Sequence, residues 1–131
     1  MTAHIFSFSY KRGLPSDLGP DGGGFVFDCR ALPNPFWVEG LRDYTGRDQP
    51  IIDFFATHAD AVAAFIKPVE DLVRNSIAAY AQDARERLSV GFGCTGGKHR
   101  SVYCAEALAG ALRGDGGVTV ELVHTALQTV Q

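Results

Sequence analysis

The feature that most constrains the fold is a short apolar run that leads through a glycine-rich loop into a helical pattern. Residues 88–92 read LSVGF, residues 93–101 read GCTGGKHRS, and Val102 begins the sequence VYCAEALAGAL. The run has the length of a buried strand, and the apolar residues after the loop recur at helical spacing. The order of strand, loop and helix is typical of parallel α/β folds, in which such loops hold ligands.

Apolar runs elsewhere predict further strands. The predicted strands are His4–Ser9, Phe25–Arg30, residues 88–94 and residues 118–124. The closing sequence VELVHTALQTVQ fits a short helix as well as a strand. We therefore expect a single α/β domain over residues 1–131, with a mainly parallel sheet flanked by helices.

Prolines and glycines divide the rest of the chain. Prolines in LPNPFWVEGLRDYTGRDQP favour extended backbone before them, so we expect an irregular, functional loop there. The apolar stripe from Val62 to Tyr80 has helical spacing. Because proline removes a helix-interior hydrogen bond, we predict two helices, one ending near Lys67 and the next starting at Pro68. GLPSDLGPDGGG and GDGG predict a loop and a helix stop.

Composition excludes several classes of function. The 131 residues carry a net charge of -3, so any binding of nucleic acid requires a local basic patch. The 3 cysteines form no CxxC pair and the 4 histidines are scattered, which predicts no disulfides, no metal site and no cofactor. No apolar run reaches the roughly 18 residues of a membrane span, and the start lacks a signal-peptide pattern. We expect a cytoplasmic protein that has no membrane partner.

The glycine-rich loop has the composition of an anion-binding site. At the carboxyl edge of a parallel sheet, the free N–H groups of a helix start face the ligand. Gly96 and Gly97 allow close approach of the backbone to a phosphate, and Lys98 and Arg100 add positive charge. Ser101 fits the helix N-cap position and fits ligand contact equally well.

Two catalytic patterns compete with simple binding. The ATPase pattern GxxxxGK[ST] fails, because Phe92 replaces its first glycine and His99 follows the lysine. The cysteine-phosphatase pattern CxxGxxRS is met in full, and in such enzymes a thiolate attacks phosphorus. The matching residues are Cys94, Gly97, Arg100 and Ser101. The alternative role for Cys94 is a small buried residue at the end of a strand.

Four blocks of sequence carry a resemblance to a known family. They are SFSYKRGLP, FDCRALPNPFW, LRDYTGRDQP and GCTGGKHRSVY, in that order from about Ile5 to about Leu112. Together they resemble the C-terminal domain of the RapZ family of RNase adapter proteins. The resemblance implies a non-catalytic regulatory domain with a fold like a phosphofructokinase subdomain and a pocket for glucosamine 6-phosphate. The ATP-binding part of those proteins has no counterpart here, so ATP hydrolysis is not expected.

The resemblance also implies which residues hold the ligand. Lys11 follows the first predicted strand, and Asp28 and Arg30 lie at the end of the second. There they complete a phosphosugar pocket or form an ion pair with each other. Asn34 and Trp37 are expected to shape the LPNPFW turn. The implied anion-binding loop comprises Thr95, Gly96, Gly97, Lys98, His99 and Arg100. Phe36 and Arg12 stand where the family commonly has histidines.

The resemblance leaves the macromolecular partners open. Some family members bind a small RNA through a basic tail, whereas Arg113 is the last lysine or arginine in this sequence. Because each lost phosphate contact weakens binding to RNA, we expect RNA binding to be the property most reduced. Three alternatives therefore stand: a sensor of a phosphorylated small molecule, an RNA-binding adapter, and a phosphatase that uses Cys94 and Arg100. A homo-oligomer or a separate protein partner fits the first.

Overall fold

A computed structural model describes residues 1–15 and 23–128, so most of the predicted GLPSDLGPDGGG loop lies outside the described residues. From the second strand onward, helices separate the strands of the described chain, as the sequence predicts. The elements are β1 Thr2–Ser9, β2 Phe25–Asp28, α1 Gln49–Ala56, α2 Ala59–Gln82, β3 Arg87–Cys94, α3 Arg100–Arg113, β4 Thr119–His124 and α4 Thr125–Gln128. Among these described residues, no helix is long and apolar enough to cross a membrane.

The four strands form one parallel sheet in the order β2-β3-β1-β4. β1 lies in the middle, where its Ser9 pairs with Cys94 of β3 and its Ser7 pairs with His124 of β4. Asp28, at the end of β2, pairs with Gly93. The predicted α/β class is confirmed, and the register brings the carboxyl ends of all four strands to one edge.

Helices α2 and α3 cover one face of the sheet. Buried residues of α2 recur at Ile66, Val69, Val73 and Ile77 and join the same core as Ile5 of β1. The predicted apolar face of α3 is confirmed, because six apolar residues that recur at helical spacing along it are buried. These residues are Val102, Cys104, Ala105, Leu108, Ala109 and Leu112. Burying such a continuous apolar face is the main contribution to the stability of each helix.

The opposite face of the sheet is packed by aromatic rings lying over glycines. A Cβ added to Gly91 would lie 2.5 Å from the ring of Phe6, and one added to Gly93 would lie 2.5 Å from the ring of Phe8. Both rings are buried. The glycines of LSVGFGC therefore serve the packing of β1 against β3, because any side chain there would displace a ring.

The predicted helix boundary at Pro68 is wrong. α2 continues through Pro68, and the break instead falls between α1 and α2, at Thr57 and His58. Pro68 and Ala64, the residue whose carbonyl loses its partner, are both exposed. Water can therefore satisfy that carbonyl. The buried stripe runs on both sides of the proline, and its burial favours one continuous helix.

Other strand ends differ slightly from the prediction. β1 begins at Thr2, before the predicted start, and β2 ends at Asp28, before the predicted end at Arg30. The side chain of Asp28 accepts a hydrogen bond from the Arg30 N–H at 2.9 Å, which turns the chain away from the sheet. Near the C-terminus, the segment predicted as either a strand or a short helix forms one after the other: β4 ends at His124 and α4 begins at Thr125.

Candidate anion-binding cleft

The loop between β3 and α3 is fixed to the end of β1. The Ser9 hydroxyl donates to the Thr95 carbonyl at 2.6 Å and accepts from the Lys11 N–H at 3.2 Å. This one hydroxyl therefore positions both the start of the loop and the short helical turn that carries Lys11. Thr95 itself is exposed at the mouth of the cleft.

The two loop glycines have different roles. Gly97 has φ +66°, and a Cβ there would lie 2.7 Å from the Ala126 side chain and 2.9 Å from the Ser9 nitrogen. Only glycine fits this left-handed, crowded position. Gly96 has nothing within 4 Å of such a Cβ and lines the cleft, so its backbone is accessible to a ligand.

The predicted N-cap role of Ser101 is wrong. α3 starts at Arg100, and His99 occupies the N-cap position without a side-chain cap. Ser101 is fully buried in the first turn, where its N–H donates to the Cys94 sulfur at 3.4 Å and its hydroxyl accepts from the Cys94 thiol at 3.1 Å. The sulfur thus satisfies one free N–H of the helix start.

Arg100 is a structural cation in the wall of the cleft. Its side chain is buried, and its Nη1 donates to the carbonyl of Arg30 at 2.7 Å and to that of Leu32 at 3.4 Å. These bonds attach the segment after β2 to the start of α3. Arg100 also lines the cleft, so its charge acts on a ligand there while part of its guanidinium holds the backbone.

His99 links the loop to the irregular segment between β2 and α1. Its Nε2–H donates to the Arg42 carbonyl at 3.1 Å. Burial lowers the pKa of His99 from its ordinary value of 6.5, although hydrogen bonds to the carbonyls of Tyr44 and Arg42 oppose that effect. The ring is therefore neutral at neutral pH, and the loop's positive charge comes from Lys98 and Arg100.

Asp28 and Arg30 form the ion pair that the sequence allowed. Two nitrogens of Arg30 contact both carboxylate oxygens of Asp28 at 2.7 to 3.0 Å. The hydrogen bond from Arg30 lowers the pKa of Asp28, and the Arg30 guanidinium lies 4.0 Å from the ring centre of Tyr10. Arg30 lines the cleft and Asp28 does not.

These elements enclose a cleft of about 850 Å³ at the carboxyl edge of the sheet. Its lining includes five cationic side chains and one carboxylate. The charged lining residues are Lys11, Arg30, Arg42, Lys98, Arg100 and Asp43. Among the described residues, Lys11 and Lys98 have no side-chain partner. The local field is therefore positive although the whole chain carries -3.

The sequence did not single out Arg42 and Asp43, which come from the irregular segment. Their neighbours Phe36 and Trp37 also line the cleft. Asn34 shapes the turn before them as expected, since its side chain accepts from the Phe36 N–H at 3.2 Å. The block LRDYTGRDQP, which carries part of the family resemblance, contains both residues. Nothing in its composition shows which of its side chains face the cleft.

The comparisons identify the family. A model of the RapZ C-terminal domain matches residues 1–128. The chain belongs to the RapZ C-terminal domain family. It is 47% identical over 111 residues to a "Nucleotide-binding protein" of Chromobacterium violaceum, covering 85% of this chain and 38% of the relative. It is 43% identical over 127 residues to "Nucleotide-binding protein Franean1_2060" of a Parafrankia species, covering 97% and 42%.

A Bifidobacterium adolescentis protein with the description "Nucleotide-binding protein" is 43% identical over 116 residues, covering 88% of this chain and 36% of the relative. This RapZ C-terminal domain thus spans well under half the length of the relatives it matches. What the rest of those proteins binds therefore does not transfer to this chain through the match alone.

The cysteines of this RapZ C-terminal domain are shielded. Cys94 lines the cleft wall but is only 2% exposed, and Cys29 and Cys104 are fully buried. A hydrogen bond with Cys104, together with burial, raises the pKa of Cys29. The phosphatase pattern is therefore present in sequence, but the sulfur lies under the loop and the matching arginine holds backbone carbonyls. No group of acidic, histidine or cysteine side chains in the described chain could hold a metal ion.

A chain of hydrogen bonds that the sequence analysis did not predict supports the loop from the side of β4. The Ser7 hydroxyl lies 2.7 Å from Nδ1 of His124, whose Nε2 lies 2.7 Å from a Glu106 carboxylate oxygen. The hydroxyl–imidazole–carboxylate order resembles that of serine hydrolases. Ser7 is fully buried, however, so it cannot reach a substrate. The network instead fixes β4 and the start of α4, whose Ala126 packs on Gly97.

Gly46 provides a test of how the irregular segment is held on the loop. Its N–H donates to the Lys98 carbonyl at 2.9 Å, and a Cβ there would lie 2.5 Å from the His99 carbonyl oxygen. We expect Gly46→Ala to lower the free energy of unfolding by about 1–3 kcal/mol, because the backbone must move apart. Urea unfolding measures the change.

The matched control is Gly110→Ala, on the exposed side of α3, where an added Cβ meets nothing within 4 Å. That variant should gain roughly 0.5–1 kcal/mol from helix propensity. Equal effects of the two substitutions would contradict the contact at Gly46.

His99 gives a pH dependence with a defined sign. Its pKa in the folded state is lowered from 6.5, so below that pH the unfolded chain binds the proton first. Stability from the neutral ring is present above about pH 6.5 and is lost as the pH falls toward the folded pKa. His99→Gln keeps an N–H donor for the Arg42 carbonyl but does not titrate. We expect its stability to fall less between about pH 7.5 and about pH 5.5, by up to about 1.4 kcal/mol.

Denaturant unfolding at the two pH values measures this difference. The contacts of His4 with Glu121 and of His124 with Glu106 are the same in both proteins, so the comparison isolates the effect of His99. An identical pH dependence in the variant would show that His99 is not held neutral.

Proposed function

We propose that this domain is a non-catalytic regulatory module that binds a phosphorylated small molecule at the loop of residues 95–100. The observation that carries the proposal is the charge of the cleft: five cations and one carboxylate line it in a chain of net charge -3. Unpaired lysines gathered at one site repel one another, so an anionic ligand stabilises them.

The shape of the site supports a ligand of small-molecule size. A volume of about 850 Å³ lies within the usual range for such sites. Gly96 exposes its backbone to the cleft, and Lys98 stands two residues before the first residue of α3. Backbone N–H groups and a lysine at a helix start together favour a phosphate.

The comparisons support the same class of ligand. The matched relatives are named nucleotide-binding proteins, which implies a phosphate-bearing ligand somewhere in those longer chains. The RapZ resemblance implies glucosamine 6-phosphate as one member of this class. Phe36 stands at a position that is commonly histidine in the family. A phosphate of a different sugar is therefore as good a candidate as glucosamine 6-phosphate.

The positions of the reactive groups support binding without catalysis. Cys94 is 2% exposed and its sulfur is paired with Ser101, while Arg100 donates to two carbonyls. A phosphatase needs an accessible thiolate and an arginine free to bind the transferring phosphoryl group. In this proposal, ligand binding is signalled through a partner, which belongs to the same assembly or is a separate protein.

Lys98→Gln tests the proposal. Losing a charged contact to phosphate costs about 1.5–3 kcal/mol, so we expect affinity for glucosamine 6-phosphate, or for whichever phosphate compound binds best, to fall roughly 10- to 100-fold. Calorimetric titration with glucosamine 6-phosphate, ribose 5-phosphate and inorganic phosphate measures it. Lys67→Gln, on the exposed surface of α2, is the matched control and should bind as the wild type does.

Lack of binding to every phosphate compound at millimolar concentration would contradict the proposal. A gel-shift series across salt concentrations separates the RNA-binding alternative, because phosphate contacts to RNA weaken steeply with salt. Tight, salt-sensitive RNA binding without binding of small phosphates would favour the adapter role instead.

A further inference from the structure

One side of the cleft opens into a lobe with aromatic walls. The lobe has a volume of about 460 Å³ and is formed by residues 36–40, 42 and 43. Phe36, Trp37, Arg42 and Asp43 line both the lobe and the main cleft, whereas Lys11 and Lys98 line the cleft but not the lobe. The two parts therefore differ in chemistry: one is suited to an anion and the other to a ring.

The aromatic pair in the lobe is held in place with one ring left open. Phe36 and Trp37 meet nearly perpendicular, at 86° and 4.8 Å between ring centres. The Arg42 guanidinium lies 4.5 Å from the Phe36 ring centre. Trp37 is 77% exposed, the largest exposed fraction among the exposed large apolar side chains of the described chain. An indole face that is exposed beside an anion site is suited to stacking with a planar ring.

Asp43 adds a polar requirement to this lobe. Within the described residues its carboxylate has no hydrogen-bond or ion-pair partner. An ionised carboxylate only accepts hydrogen bonds, so it pairs best with two adjacent N–H donors. Guanine offers N1–H and the N2 amino group side by side, whereas adenine and cytosine place a ring-nitrogen acceptor beside their amino group. Those bases would set that acceptor against the carboxylate oxygens.

We propose that the cleft binds a nucleoside phosphate whose phosphate lies at Lys98 and whose base stacks on Trp37, with guanine preferred because its N–H donors pair with Asp43. The inference rests on the proposed function, since the phosphate occupies the same loop. It goes beyond that function in assigning the aromatic lobe to a nucleobase and base selectivity to Asp43.

Calorimetric titration of the full chain with GMP, AMP and ribose 5-phosphate tests the inference. Since stacking on an aromatic side chain is worth about a tenfold gain or more, GMP should bind at least that much tighter than ribose 5-phosphate, with AMP between them. Trp37→Ala should remove most of this gain and thus affect GMP far more than ribose 5-phosphate. Leu72→Ala, an exposed apolar residue of α2 outside the cleft, is the control.

Asp43→Asn tests the base selectivity separately. It should bring the affinities for GMP and AMP together, because an amide both donates and accepts, while Asp60→Asn on α2 should leave their ratio unchanged. Equal affinity of the wild type for ribose 5-phosphate, AMP and GMP would overturn this inference and leave the proposed function standing. Binding of none of them, nor of glucosamine 6-phosphate or inorganic phosphate, would overturn both. Binding of single-stranded RNA without any mononucleotide would also overturn the inference.

Discussion

The parallel pairing of β1 with β3 is the constraint on which the site depends. This register sets Ser9 opposite Cys94, so that the Ser9 hydroxyl reaches the Thr95 carbonyl and fixes the direction in which the loop leaves the sheet. The pairing also places the rings of Phe6 and Phe8 over Gly91 and Gly93, where a side chain on either glycine would displace a ring. A shift of register by one residue would move every side chain of β1 to the other face, and the loop would lose this anchor.

Much of the positive charge in the cleft also has a structural role. Arg100 holds the carbonyls of Arg30 and Leu32, and Arg30 is paired with Asp28, so neither is a freely movable cation. Arg42 lies over the ring of Phe36, so among the described cations of the cleft Lys11 and Lys98 are the ones left to meet a ligand. Burying the charged Arg100 side chain costs free energy of desolvation. Its hydrogen bonds to the two carbonyls offset part of this cost, and a bound anion would offset the rest.

The sequence predicted the α/β class, the buried strand before the loop and the apolar face of α3, because these follow from local periodicity and glycine content. It missed the continuity of α2 through Pro68, since that depends on which side of the helix meets solvent. It offered an N-cap role or a ligand contact for Ser101, because the pairing of Ser101 with Cys94 appears only when the loop closes. Arg42 and Asp43 were not found, because an irregular segment has no period that shows where its side chains point. Thr95, Gly96, Lys98 and His99 all line the cleft, and their role in ligand binding remains a prediction.

The central claim is that a phosphorylated ligand is held at the loop between β3 and α3. Titrating the isotope-labelled domain with inorganic phosphate and glucosamine 6-phosphate, while following backbone amide resonances by NMR, tests it most directly. The account predicts saturable shifts that are largest at Gly96, Gly97 and Lys98 and negligible at Gly110, with no such response to unphosphorylated glucosamine. Absence of saturable shifts, or shifts centred away from this loop, would contradict it.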